Sequence, residues 1–161
     1  MLIEFNQLPD DSRIWVYQAN RKLTDHEVAF IKERIPVFLE NWTAHGKDLE
    51  AGFEIRYNRF IIIGLNQQNA SATGCSIDAS VKFIQSIEQE LGIDLLDKMN
   101  VTYYNGDYIA HKTLLDFKKM AKAKSVSKET IVFNNLVATK AEYLENWKVP
   151  AKESWHSRFL S

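Results

Sequence analysis

Apolar residues recur along the chain with the two-residue period of strands and the 3.6-residue period of helices, and segments of the two kinds alternate. Residues 13–19 predict a strand, because β-branched and aromatic side chains are concentrated there. A helix is predicted next, with Thr24 as N-cap, Glu27 completing a capping box and Gly46 as the C′ residue. Pro36 lies inside this run and is expected to kink or split the helix.

Residues 53–65 predict a β-hairpin that turns at Asn58-Arg59. In that register one face of the hairpin is wholly apolar and the other is mixed. Pairing with the first strand gives a second sheet face that carries four large apolar side chains, those of Trp15, Tyr17, Ile61 and Ile63. This face is too apolar for water, so we expect these four residues to form an interface, covered by the C-terminal helices or by a protein partner such as a second copy of the chain.

A polar loop over residues 66–73 precedes a helix from about Ser76 to a terminating Gly92. Residues 100–111 predict a second hairpin with a turn at Asn105-Gly106, the strongest hairpin signal in the chain.

Thr113 is expected to cap a third helix, and Ser127 a fourth whose apolar stripe extends over residues 133–147. Periodicity alone does not exclude a strand over residues 131–133. The aromatic tail, residues 151–161, is expected to pack against the rest of the molecule.

The order β-α-β-β-α-β through the first strand of the second hairpin predicts an α+β fold with a ferredoxin-like (split β-α-β) core. An added hairpin strand and the C-terminal helices complete it. Since 161 residues suffice for one core, we expect a single domain over residues 1–161, with the core at about 12–111 and a helical extension at about 112–161.

Composition narrows the class of protein. Hydrophobic residues make up 45% and charged residues 25% of the chain, which is typical of globular proteins. A net charge of −1 provides no field that attracts nucleic acid or anionic lipid. One cysteine cannot form an internal disulfide, the first residues lack the pattern of a secretion signal, and no apolar run is long enough to span a bilayer. We therefore expect a cytoplasmic protein without membrane contact.

Several phrases together carry a family resemblance: SRIWVYQANR, NWTAHG, YNRFIIIGLN, GCSIDAS, LLDKMNV, FKKMAK, FNNLV and SWHSRF. By these the chain resembles a family of small uncharacterised bacterial proteins of about this length, whose members often carry the automatic label of ABC-transporter ATPase. The resemblance implies no particular site residues.

The sequence does not support the ATPase label. A P-loop requires G-x-x-x-x-G-K-[ST], because its backbone amides surround the phosphates while its Lys and hydroxyl serve phosphate and magnesium. The Gly-Lys pair Gly46-Lys47 is followed by Asp48, and the position five residues before Gly46 is Asn41. ATP hydrolysis by a P-loop is therefore not expected.

The start of the second predicted helix is the first candidate site. Helix N-terminal amides and the helix dipole favour anions, so a small anionic ligand is expected beside the polar loop. The predicted ligand-binding residues are Asn66, Thr73, Gly74, Cys75 and Ser76. The competing interpretation is that the hydroxyls of Thr73 and Ser76 use the same amides as a self-cap.

Cys75 also permits a catalytic interpretation, because a helix N-terminus stabilises a thiolate nucleophile. Such an enzyme requires a base, and the candidates are His26, His45, His111 and His156. The alternative is a small buried cysteine that packs the strand–helix turn. Binding without catalysis is the primary prediction, and a thiol-dependent enzyme is the alternative.

A third interpretation is RNA binding, with the lysines between residues 112 and 128 on phosphates and Tyr103, Tyr104 and Tyr108 as stacking surfaces. The RNA-recognition sequence motif is missing and the net charge is near zero, so nucleic acid is not expected as a partner. The histidines lack metal-ligand spacing, and we predict neither a metal nor a cofactor.

Overall fold

The computed structural model describes residues 1–160 and shows a mixed α+β protein with antiparallel sheets, which confirms the predicted class. The chain forms two compact units. The first unit comprises Met1–Leu96 and Val137–Tyr143, and the second comprises Asp97–Leu136 and residues 144–160. These units do not follow the expected core and extension, because the second hairpin pairs with later strands. The single domain stays a prediction, and its last residue, Ser161, lies outside the described residues.

The strands and helices of the described chain have the following bounds. The strands are β1 (Arg13–Gln18), β2 (Thr43–Ala44), β3 (Lys47–Asp48), β4 (Glu50–Arg56), β5 (Phe60–Asn66), β6 (Asn100–Asn105), β7 (Tyr108–Thr113), β8 (Ile131–Phe133) and β9 (Lys148–Pro150). The helices are α1 (Asp25–Glu40), α2 (Gly74–Leu91), α3 (Leu114–Lys122) and α4 (Lys140–Asn146). No helix within residues 1–160 has the length and apolar character needed to cross a membrane.

The sheet of the first unit has the strand order β1-β5-β4 and is antiparallel throughout. Its hairpin turns at Tyr57-Asn58, whose φ angles are 58° and 49°, so the predicted turn at Asn58-Arg59 is wrong by one residue. Two left-handed residues in succession give the type I′ geometry that matches strand twist. Arg56 then pairs with Phe60.

That one-residue shift places the apolar residues of β4, instead of its charged ones, on the hairpin face that carries Ile61 and Ile63. Trp15 lies opposite Ile63 and Tyr17 opposite Ile61, on the face that packs against the apolar sides of α1 and α2. Tyr17, Ile61 and Ile63 are buried and Trp15 is half-buried in this core. The prediction that these four residues form an interface is therefore wrong, because the unit's own two helices cover them.

The N-terminal segment crosses the opposite face of this sheet, where two paired glycines leave room for it. A Cβ on Gly52 would lie 2.7 Å from the carbonyl oxygen of Ile3, and one on Gly64 would meet the side chain of Leu8. Lys140 anchors the same segment, because its Nζ donates to the carbonyl of Leu8 at 2.7 Å. Both sheet faces of the first unit are thus occupied by its own chain.

Local capping chemistry sets the ends of the two helices in this unit. Thr24 and Glu27 form the predicted capping box at the start of α1. Pro36 does not split α1, which continues to Glu40. Gly46 is not the C′ residue of this helix; with φ of 76° it forms the turn of the β2–β3 hairpin. Gly92 ends α2 in the left-handed conformation, as predicted.

The second unit contains an antiparallel sheet in the order β7-β6-β8-β9. The sequence had predicted a different place for β6, as the fourth strand of a split β-α-β sheet. That four-stranded sheet does not form, because β6 pairs with β7 and β8 instead. Thr113 caps α3 as predicted. The fourth helix is wrong over most of its predicted length: residues 131–133 form β8, and α4 is short.

The tail forms two short 3₁₀ helices, Ala151–Glu153 and Trp155–Phe159, and packs into the core of the second unit as expected. Ala151 and His156 are fully buried. Packing of the tail is therefore confirmed for residues 151–160.

Candidate functional site

A groove of about 560 Å³ opens on the first unit beside the start of α2. Three segments build it: the last turn of α1, the β2–β3 hairpin and the first turn of α2. Its apolar wall consists of Val37, Phe38, Trp42, Ala44 and Ala79. Its polar lining consists of Asn41, Thr43, His45, Thr73, Cys75 and Ser76. An apolar wall with a few polar groups, in a volume between about 300 and 1,000 Å³, is typical of small-molecule sites.

Trp42 fixes the geometry of the groove. Its indole is almost wholly buried, and Nε1 donates to the carbonyl oxygen of Ser76 at 2.9 Å. The rings of Phe38 and Trp15 lie against it, with centroids 5.6 and 5.9 Å away. One side chain therefore joins the end of α1, strand β1 and the start of α2.

The predicted self-cap of α2 forms, but it uses only part of the helix terminus. The amide of Ser76 donates to Oγ1 of Thr73 at 3.2 Å, and the amide of Thr73 donates to Oγ of Ser76 at 2.7 Å. Gly74 and Cys75 are the first two residues of the helix, so their amides have no acceptor within it. The amide of Cys75, which lines the groove, is available to an anion or a carbonyl group of a ligand, and Gly74 is the residue next to this lining.

The structure brings Cys75 and His45 to the same groove. Cys75 lies in the first turn of α2, as the sequence predicted. It is exposed, so it is not the buried packing residue of the alternative interpretation. His45 is exposed at the turn of the β2–β3 hairpin, where its φ is 51°. A thiol and an imidazole that line one groove are the groups a cysteine-dependent reaction requires.

The other predicted site residues lie elsewhere. Asn66 is buried at the end of β5, where Nδ2 donates to Glu50 and Oδ1 accepts from the amide of Gln68. Asn66 is therefore engaged by its own unit and does not line the groove. His26 belongs to the first turn of α1, outside the groove lining.

In the second unit, two of the predicted RNA-stacking surfaces pack against their own unit. Tyr103 is buried against Phe117, and Tyr104 stacks on Phe133 with ring centroids 5.5 Å apart. Tyr108 is exposed. A single exposed ring does not make the row of stacking surfaces that single-stranded RNA requires.

The two histidines of the second unit are also outside the groove lining. His111 lies in β7. His156 is fully buried, and its Nδ1 lies within hydrogen-bonding distance of Oγ of Ser154. Burial lowers the pKa of His156 to about 4, so its imidazole is neutral at pH 7. Within residues 1–160, no cluster of His, Cys, Asp and Glu has the arrangement of a metal site.

The role of Trp42 and the β2–β3 hairpin were not predicted, because residues 41–46 were assigned to the end of a helix; His45 was predicted as a candidate base, but not its place at the hairpin turn. The signal for this hairpin was the pair His45-Gly46, because a type I′ turn between two short strands needs positive φ at both central residues and favours glycine at the second. No family model, curated protein or solved structure was found that matches this chain.

Proposed function

We propose that the chain is a non-catalytic binding protein whose first unit takes a small, mainly apolar molecule in the groove, with an anionic or carbonyl group of that molecule at the start of α2. The groove itself supports this function, because its apolar wall faces a small set of polar groups. The amides of Gly74 and Cys75 are the donors for the polar end of the ligand.

The size and charge of the groove limit the class of ligand. A volume of about 560 Å³ suits one small molecule. The groove lining contains neither lysine nor arginine, so a polyphosphate or a nucleic acid is a poor match. Aromatic or aliphatic monocarboxylates and monophosphates, by contrast, match both the wall and the helix start.

A pair of tryptophan substitutions on α2 tests the site. Ala79 is exposed and lines the groove, so Ala79→Trp should fill it, whereas Gln85→Trp places the same ring on an exposed position of the same helix outside the groove. A thermal-shift screen of monocarboxylates and monophosphates identifies ligands, and calorimetry measures their affinity. We expect at least about tenfold weaker binding to Ala79→Trp, because a loss of 1.4 kcal/mol already produces that factor.

The control variant should retain the wild-type affinity. Equal affinity in both variants would place the ligand elsewhere and refute the assignment. Cys75→Ser should also retain affinity, since binding through the amides does not use the thiol.

A second candidate is a thiol-dependent enzyme, which the placement of His45 and Cys75 in one groove supports. Cys75 would act as nucleophile and His45 as base. The rate of Cys75 alkylation against pH distinguishes the two functions, with His26→Asn as an exposed control for His45→Asn. Catalysis predicts that His45→Asn alone slows alkylation at pH 7 by about tenfold or more. If the alkylation rates of the wild type and both histidine variants have the same midpoint near pH 8.5, the pKa of free cysteine, the catalytic function is refuted.

We also propose a cytoplasmic location, supported by one exposed cysteine in a chain that cannot form an internal disulfide.

We further propose that the chain belongs to the family of small bacterial proteins that it resembles. We also propose that β1-α1-β4-β5-α2 form the greater part of a ferredoxin-like split β-α-β unit, which the antiparallel pairing of β1 with β5 supports. A homodimer or a protein partner is also part of the proposal, with a contact surface other than the buried sheet face of the first unit.

A further inference from the structure

Arg59 is a buried arginine in the turn of the β4–β5 hairpin, directly before the second strand. Only 8% of the residue is exposed. Its backbone is held on both sides, because its amide donates to the carbonyl of Arg56 at 3.0 Å and its carbonyl accepts from the amide of Ala19 at 2.8 Å. These two bonds fix the point from which the side chain extends.

No group within residues 1–160 neutralises this guanidinium. Nη1 is buried and has no hydrogen-bond acceptor in the described part of the chain. Burial lowers the pKa of Arg59, and no neighbouring carboxylate opposes that effect. Arg56, in the same hairpin, differs, since its Nη1 lies 3.7 Å from Oε1 of Glu54.

Buried charges in proteins are normally paired, because removing an ion from water is costly unless an opposite charge and hydrogen bonds replace the lost hydration. A guanidinium has five N–H donors in a planar fork and no acceptor, so it matches the two oxygens of a carboxylate or phosphate. A buried water molecule supplies a hydrogen bond but no counter-charge. An oxyanion therefore satisfies Arg59 more completely than water.

We propose that Arg59 is an anion-binding residue that holds a phosphate or carboxylate group at the end of the β4–β5 hairpin. The small exposed fraction favours a compact anion over an extended polyanion. The net charge of −1 gives the chain no general attraction for anions, so the response belongs to this residue. This site is separate from the groove, which Arg59 does not line.

Thermal unfolding of the full chain in sodium phosphate, sodium acetate and sodium chloride, at pH 7 and equal ionic strength, tests the proposal. Arg59→Met removes the guanidinium, and Arg34→Met is the control, because Arg34 is an exposed arginine of α1. For the wild type we expect a midpoint about 3–6 °C higher than in chloride when the bound anion is at ten times its dissociation constant.

Arg34→Met should keep this shift and Arg59→Met should lose it. A shift in phosphate alone identifies a phosphate site, and a shift in acetate alone identifies a carboxylate site. Equal shifts in all three proteins would show a general salt effect and overturn the proposal.

A second measurement keeps the test decisive if Arg59→Met does not fold. The Nε–H resonance of Arg59 in the ¹⁵N-labelled wild-type protein should move on titration with phosphate or acetate and should saturate. A resonance that stays unchanged in both titrations would overturn the proposal.

Discussion

Replacing Trp42 with phenylalanine should weaken the first unit and loosen the start of α2 together. The substitution removes the hydrogen bond from Nε1 to the carbonyl of Ser76, worth about 0.5–1.5 kcal/mol. It also removes buried ring atoms between Phe38 and Trp15, for which transfer and cavity costs together amount to about 1–2 kcal/mol. We therefore expect the free energy of unfolding to fall by about 2–3 kcal/mol.

Urea denaturation followed by far-UV circular dichroism measures this loss, and Trp155→Phe is a matched control. Nε1 of Trp155 is buried but has no hydrogen-bond partner within residues 1–160, so the control loses ring packing without losing such a bond. Trp155→Phe should lower the free energy of unfolding by about 1 kcal/mol less than Trp42→Phe does. A cost for Trp42→Phe at or below that of the control would refute the reasoning that this indole joins α2 to the groove wall.

The remaining predictions concern two buried basic residues. Because burial lowers the pKa of His156 to about 4 from an ordinary 6.5, its stabilising effect is complete above pH 6.5 and is lost as pH falls toward 4. The free energy of unfolding should fall by up to about 3 kcal/mol between pH 6.5 and 4. In His156→Gln it should change less over this pH range, as measured by urea titration at several pH values. Lys140→Met should lower the free energy of unfolding by about 2 kcal/mol or more, because it leaves the carbonyls of Asn6 and Leu8 without their donor. The control Lys82→Met, at an exposed position, should change it by less than about 0.5 kcal/mol. Equal melting temperatures for these two lysine variants would contradict the anchoring role.

The sequence predicted those features that depend on neighbouring residues. The capping box of Thr24 and Glu27, the Thr113 cap and the left-handed Gly92 each follow from side-chain and backbone chemistry within one turn. The position of Cys75 at the start of α2 belongs to the same class. These features locate the helix ends and one edge of the groove.

Features that depend on distant pairing could not be read from the sequence. The turn at Tyr57-Asn58 puts tyrosine in a conformation that the sequence gives no reason to expect. The resulting shift placed Phe53 and Ile55 beside Ile61, on the sheet face that the helices cover. Membership of β6 in a different sheet depends on its pairing with β8, about 30 residues later. Burial of Arg59 likewise has no sequence signal, because arginine is normally exposed.

The central claim, that the groove beside α2 binds a small ligand, is tested most directly by ¹H–¹⁵N NMR of the wild-type protein with a ligand from the thermal-shift screen. The indole Nε1–H of Trp42 is hydrogen-bonded at the groove wall, and the amides of Gly74 and Cys75 begin the helix that borders it. A ligand bound in the groove should shift these three signals together, and they should saturate with one dissociation constant. Saturable shifts confined to residues 97–136, with these three signals unchanged, would contradict it.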